Sequence, residues 1–357
     1  PLEPAGFPAP SLRPVGYRVA RPVDPLRSSG QMYRLAVPGH HFHGDELHFE
    51  GEGKKRFAIA TFIHSPREQT VKAGCFRMDA YVNGRAVERS ERYEELRSEL
   101  TLPLREGWNA FFAGVNFHND CESVYFVLDP ADGLELSPLR RRGDENGFLR
   151  SPVIGKEELD ALCERGIPSP GDASIDAHGG WIPVPADARD GNPAHRACWD
   201  DYGQATGQLT PESLSNAAFP LADYPHGFSL VIEFPTMHLV WPSLTIEGAA
   251  GAEIDFSYSE HLQDDGRHLR HGHWYMAGDR FLPSRDRATF SPTQPRGARY
   301  IRITVRNARD TVRIPDLRFL DCRYPVDRIG SFECSDPTLN EVWKMCERSQ
   351  IANMEDV

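Results

Sequence analysis

Between Glu260 and Arg280 the chain reads EHLQDDGRHLRHGHWYMAGDR, which crowds carboxylates, imidazoles, an indole and guanidinium groups into one short stretch. Glu260, Asp264 and Asp265 stand beside His261, His268, His271 and His273. Carboxylates and imidazoles so close together can hold a divalent metal or pass a proton. The same charges also describe a solvated loop beside a domain border, and that plainer reading takes precedence because charged side chains usually stay in water. Contact with a sugar is the better functional reading. Trp274 offers an apolar ring face for stacking, and Asp279 and Arg280 offer hydrogen bonds to hydroxyls, with Glu260 and Asp265 as further polar contacts. For Trp274, packing in the core or at a seam with a further domain carries slightly more weight than stacking on a sugar.

A second group, His40, His41, His43 and His48, lies in GHHFHGDELHF. Strand alternation would turn His41 and His43 to one side, which permits a ligand pair without requiring one. The spacing is not that of a helical pair of metal ligands, so no metal and no cofactor are expected. There is no G-x-S-x-G and no phosphate-binding loop, and Gly51-Glu52-Gly53 reads as a tight turn.

These residues need a scaffold, and the length of 357 residues predicts two or three domains. A net charge of −12 argues against binding nucleic acid through its phosphates. No run approaches the ~20 apolar residues of a membrane span, so no membrane partner is expected. The seven cysteines contain no C-x-x-C pair and are odd in number, which suits reduced thiols and a cytoplasmic location.

Residues 1–30 read as an extended N-terminal arm, Pro-rich and without the apolar core of a signal peptide. Residues 31–130 read as a first β-sandwich. Phe76, Met78, Ala80 and Val82 alternate towards one face before Asn83-Gly84, a pair suited to a hairpin turn with two positive φ values. Leu100, Leu102 and Leu104 repeat the pattern before Glu106-Gly107. Residues 131–220 read as a long connection carrying a short helix near 156–165. Residues 221–326 read as a second sandwich. There Ile254, Phe256 and Tyr258, and Ile301, Ile303 and Val305, face inward against polar residues left to solvent. From 327 to 357 a helix opens: Ser335 or Asp336 can cap it, Pro337 suits its first position, and Leu339, Val342, Trp343 and Cys346 form one apolar stripe.

GSFECSDPTLNEVW (330–343) resembles the start of the helical catalytic domain of the bacterial α-L-rhamnosidases, where G-x-F-x-C-S-D-x-x-L-N leads out of a jelly roll. IDFSYSEHLQDDG, AGDRFLPS and GARYIRI are similar to three of that family's strands, in the same order. AYVNGRAVE and ELTLPLREGWN resemble the carbohydrate-binding-like sandwich that precedes them. Gly297-Ala298-Arg299-Tyr300 lacks the aromatic usual before Arg, and Phe281 stands where Tyr is more usual. The resemblance implies an all-β chain of two antiparallel β-sandwich or jelly-roll domains, then one helix that opens an α/α toroid beyond Val357.

Inverting glycosidases need two carboxyl groups ~6.5–9.5 Å apart, and the resemblance puts them in that toroid. No catalytic residue is therefore expected among residues 1–357. Leu339, Val342, Trp343 and Cys346 are expected to meet the catalytic domain as a partner, and a rhamnoside-type glycan is expected as the parent enzyme's substrate. Two rival readings are a free-standing lectin-like protein and a structural or assembly protein; titration with rhamnosides separates them.

Overall fold

The computed structural model describes residues 11–14, 16–20, 25–27, 31–36, 55–75, 78–91, 98–117, 124–128, 132–143, 146–152, 154–165, 181–185, 201–202, 207–224, 227–264, 266, 268–270, 277–323, 326 and 329–352. The chain divides into two compact units, one of residues 27–201 and one of residues 1–26 with 202–357. Their described sheets are antiparallel throughout.

In the unit of residues 27–201, one sheet orders its strands Gln31–Ala36, Val124–Leu128, Gln69–Cys75, Ser98–Leu104 and Glu88–Glu91. The other runs Ile182–Pro185, Asn146–Arg150, Lys55–Ser65, Gly107–Phe117, Met78–Val82 and Arg85–Ala86, with Glu135–Ser137 also on Lys55–Ser65. Alternation builds the core between them, since Ile59, Ile63, Met78, Ala80, Val82, Leu100, Leu102, Leu104, Phe111 and Phe126 pack in one cluster. Asn83 and Gly84 both take positive φ, 50° and 77°, as a tight hairpin between twisted strands requires. The segment expected as a connection contributes three strands to this unit. They were hard to see because each is only three to five residues long and Gly and Pro surround them.

Helix α1, Lys156–Arg165, lies on the outer face of the second sheet. Glu157 and Glu158 complement the dipole at its start. Leu159 and Leu162 cover Ala58, Ala60 and Phe112. Gly114 makes this close approach feasible, because a Cβ there would sit 3.2 Å from both Leu159 Cδ1 and Cys163 Sγ.

In the other unit, strands of one continuous sheet enclose a single core. Its main path runs Ser11–Pro14, Val312–Arg323, Phe228–Glu247, Arg296–Arg306, Glu253–Ser259 and Gly278–Phe281. The long strand Phe228–Glu247 pairs with Arg296–Arg306 along its first part and with Val312–Arg323 and Arg287–Phe290 along its last. An irregularity between Glu233 and His238 interrupts the pairing with Arg296–Arg306, which resumes over His238–Val240, and the pairing with Val312–Arg323 begins at Val240. Ser11–Pro14 and Arg18–Ala20, expected in an arm, are paired strands of this sheet. Helix α2, Pro211–Asn216, starts with Thr210 Oγ1 accepting the Ser213 N–H at 3.0 Å and Pro in the first turn.

Ile254, Phe256, Tyr258, Ile301, Ile303 and Val305 line the core as their alternation predicts. Their polar neighbours do not face water, however. Asp255, Ser257, Ser259, Arg302, Thr304 and Arg306 are all buried, so both faces of these central strands are covered. The sequence pattern of a half-solvated strand hid this, because charges buried by pairing look the same as charges left in solvent.

Candidate functional site

The buried polar face centres on Asp255. Antiparallel register places Arg280 directly opposite it on one side and Thr304 on the other. Arg280 donates from Nε and Nη2 to the two carboxylate oxygens, at 2.7 and 3.1 Å, and Arg306 donates from Nη1 to Oδ2 at 2.8 Å. Asp255 and Arg306 side chains are each 3% exposed. Charges removed from water so completely survive only when paired and hydrogen-bonded, and here two guanidinium groups share one carboxylate. Nearby, Arg302 donates to Ser229 Oγ at 3.0 Å, as does the Thr304 hydroxyl at 3.2 Å.

Asp279 and Arg280 are consecutive on the strand Gly278–Phe281, so their side chains leave opposite faces. Arg280 turns to Asp255. Asp279 instead receives Arg296, whose Nη2 and Nε donate at 2.7 and 3.2 Å. The predicted sugar contacts are thus separated, and each is engaged in a bidentate ion pair. Glu260 is exposed, and its neighbour His261 lies 4.0 Å away in a small hairpin with Arg270. His268 of the same hairpin is buried. Asp265, His271, His273 and Trp274 lie outside the described residues, as do His40, His41, His43 and His48. No group of three or more His, Cys, Asp or Glu placed to hold a metal ion is found among the described residues.

One arrangement had no signal in the sequence. His238 Nδ1 lies 3.3 Å from Asp321 Oδ1, and His238 Nε2 is 3.1 Å from the Thr236 hydroxyl. Phe234 packs against the same imidazole, with centroids 6.0 Å apart. The three polar groups sit at the irregularity of the long strand, where the ladder between Glu233 and His238 is interrupted. Residues far apart in sequence, Asp321 and His238, become neighbours only through the pairing of the two strands.

Helix α3, Pro337–Ala352, carries the apolar stripe. Asp336 Oδ1 accepts the Thr338 N–H at 2.8 Å and so caps its start. Leu339, Val342 and Trp343 are 50, 43 and 42% exposed, and Cys346 is exposed too. Phe332 packs on Trp343 with ring centroids 5.4 Å apart, and is itself partly open. No helix among the described residues is long and apolar enough to cross a membrane.

Residues 226–318 match the family described as the bacterial alpha-L-rhamnosidase concanavalin-like domain. No curated protein matches the sequence. Among solved structures, the GH78 family rhamnosidase of Bacillus sp. GL1 superposes with a TM-score of 0.75 at 18% identity, over 98% of this chain and 38% of that one. A rhamnosidase from Klebsiella oxytoca with rhamnose bound gives a TM-score of 0.36 at 13% identity, over 43% of this chain and 31% of the other. An α-L-rhamnosidase from Dictyoglumus thermophilum gives 0.29 at 14% identity, over 94% and 39%. This chain therefore spans well under half the length of the Bacillus enzyme whose fold it shares. Its residues 226–318 are matched by the concanavalin-like domain of the bacterial α-L-rhamnosidases, and the chain as a whole resembles that family in fold.

Proposed function

We propose that this chain is the non-catalytic β-sandwich portion of an α-L-rhamnosidase-like glycoside hydrolase, whose inverting cleavage of terminal rhamnosides is carried out by a helical domain following Val357. The observation that carries this reading is the family match at residues 226–318, together with a shared fold over 38% of a much longer rhamnosidase. The half-open stripe of Leu339, Val342, Trp343 and Cys346 is the surface that the catalytic domain would cover. Two strand carboxylates are already engaged within the sheet. Asp255 is buried beneath two arginines and Asp279 is engaged by Arg296, so neither is displayed to a glycosidic bond as a pair of catalytic acids must be.

Release of nitrophenol from p-nitrophenyl α-L-rhamnopyranoside tests the reading in two arms. Residues 1–357 alone are expected to give no turnover, and a polypeptide extended through the following coding sequence is expected to give it. Turnover by residues 1–357, or its absence from the extended polypeptide, overturns the assignment.

A further inference from the structure

On the outer face of the sheet in the unit of residues 27–201, three side chains line up across three adjacent strands. Trp108 stands directly opposite His64, and His64 directly opposite Glu135. Opposed residues of paired strands project to the same face, and that face is the outer one, because Ala58, Ala60 and Phe112 of the same strands lie on it beneath helix α1. The helix does not cover the row. Trp108 and His64 are half-buried, while Glu135 and Arg142 keep 33 and 69% of their side chains exposed. The two rings meet edge to face at 5.1 Å, and Arg142 extends the row by donating Nε to both oxygens of Glu135, at 3.0 and 3.1 Å.

Two buried polar side chains fix the backbone on either side of this row. Asn109, fully buried, accepts the Arg105 N–H at 2.9 Å and donates to the Arg105 and Gly107 carbonyls at 2.7 and 3.1 Å, which closes the turn before Trp108. Asn83 donates to the same Asn109 oxygen at 2.9 Å. Ser137, also fully buried, accepts the N–H groups of Leu139 and Arg141 at 3.2 and 2.9 Å and so holds the turn that carries Arg142. Arg140, at positive φ in that turn, lies 4.0 Å over the ring of Phe62, the next residue along the same face. Both ends of the row are thus set before any ligand arrives, which removes an ordering cost that a flexible surface would bear.

We propose that Trp108, His64, Glu135 and Arg142 form a binding platform for a pyranose saccharide. An indole supplies an apolar surface for the C–H face of a sugar ring. The Glu135–Arg142 pair sets acceptor and donor atoms side by side, the pattern that neighbouring hydroxyls, each donor and acceptor at once, can satisfy. With strands ~4.8 Å apart, the row is about 10 Å long, the span of one or two sugar rings and too short for a protein interface. The platform lies on a different unit from the rhamnosidase-matching residues 226–318 and does not depend on what the parent enzyme cleaves.

The test is binding of the purified chain to an array of immobilised oligosaccharides that includes α-L-rhamnosides, β-glucosides, β-galactosides and uronates, followed by calorimetric titration with the soluble methyl glycoside of each sugar bound. Trp108→Ala is expected to weaken binding by about tenfold or more, Trp108→Phe by less, and Glu135→Ala to weaken it as well. Trp343→Ala, on the other unit, is expected to bind as the parent chain does. Circular dichroism melts accompany each variant, and Trp108→Phe keeps the test valid if Trp108→Ala does not fold. Binding of any of these sugars with this dependence supports the platform, even where no rhamnoside is bound and no extended polypeptide cleaves one. Failure of every sugar to bind, or binding indifferent to Trp108 and Glu135, overturns it.

Discussion

Asn340 holds Cys334 at both of its backbone groups. Its Nδ2 donates to the Cys334 carbonyl at 2.8 Å, and its Oδ1 accepts the Cys334 N–H at 2.9 Å. One amide side chain thus replaces a strand partner for Cys334, three residues ahead of the start of helix α3 at Pro337, and ties the turn to the helix. This gives a physical reason for Asn at 340; the bonds reach only the backbone of residue 334, and the Cys334 thiol itself donates to the Asp336 carbonyl at 3.4 Å. Asn340→Ala leaves both groups without that partner at a partly exposed site, so a loss of ~1–2 kcal/mol is expected. Asn340→Asp, which keeps the acceptor and loses the donor, should fall between. Amide hydrogen exchange across residues 334–341 reads the effect directly, and unchanged protection in Asn340→Ala would refute it.

The carboxylate of Asp255 joins Arg280 to Arg306, and the cluster is almost dry. Asp255→Ala would remove the carboxylate shared by the guanidinium groups of Arg306, 3% exposed, and Arg280, 12% exposed. Breaking one side of such a cluster costs about 3–5 kcal/mol, a large part of a typical domain's stability. Urea denaturation should show the midpoint falling sharply for Asp255→Ala and less for Asp255→Asn, which retains the acceptor oxygen. Equal stability in all three proteins would mean that the cluster is held by other groups.

How far the sequence could be read follows from these same residues. Met78, Ala80 and Val82, with Asn83-Gly84 after them, were legible because alternation and turn chemistry are local. The capped start of helix α3 was legible for the same reason. Asp255, Arg302 and Arg306 were misread as solvated because alternation reports which residues share a face, and not whether that face is covered. Asp279 and Arg280 looked like one functional pair because they are adjacent in sequence, yet adjacency on a strand sends them apart. His238 with Asp321, and Trp108 with His64 and Glu135, depend on strand order and register, which no short window of sequence contains.

Cys75 is fully buried, and burial pushes its thiol up to about 12 from 9.0; a backbone hydrogen bond from Met78 and the charge of Arg89 pull the other way, and Asp79 adds slightly to the rise. The neutral thiol is the form the native state favours. Its contribution to stability is therefore complete below pH 9 and is lost as pH climbs from about 9 towards about 12, where the unfolded chain has released a proton that the native one retains. The loss is on the order of 4 kcal/mol if the whole interval is traversed. Cys75→Val should remove this component of the alkaline slope. At pH 8, iodoacetamide should label the exposed Cys346 of the native protein and spare Cys75. Early labelling of Cys75 would contradict its burial.

The stripe on helix α3 is partly open to solvent. Leu339, Val342, Trp343 and Met345 are each between 42 and 54% exposed, and Phe332 beside Trp343 is 43% exposed. Contiguous apolar surface of this kind seeks a partner, so residues 1–357 on their own should self-associate as concentration rises. Trp343→Glu combined with Leu339→Lys should restore a monomer in light scattering while changing the melting temperature little, because neither side chain fills the core. Replacing Phe234 and Phe319 of the sheet core with alanine should do the reverse, lowering the melting temperature through lost packing at rings now 5.1 Å apart. A chain that stays monomeric at high concentration without the charge substitutions would show that the stripe needs no cover, and would remove the helix as support for a docked catalytic domain.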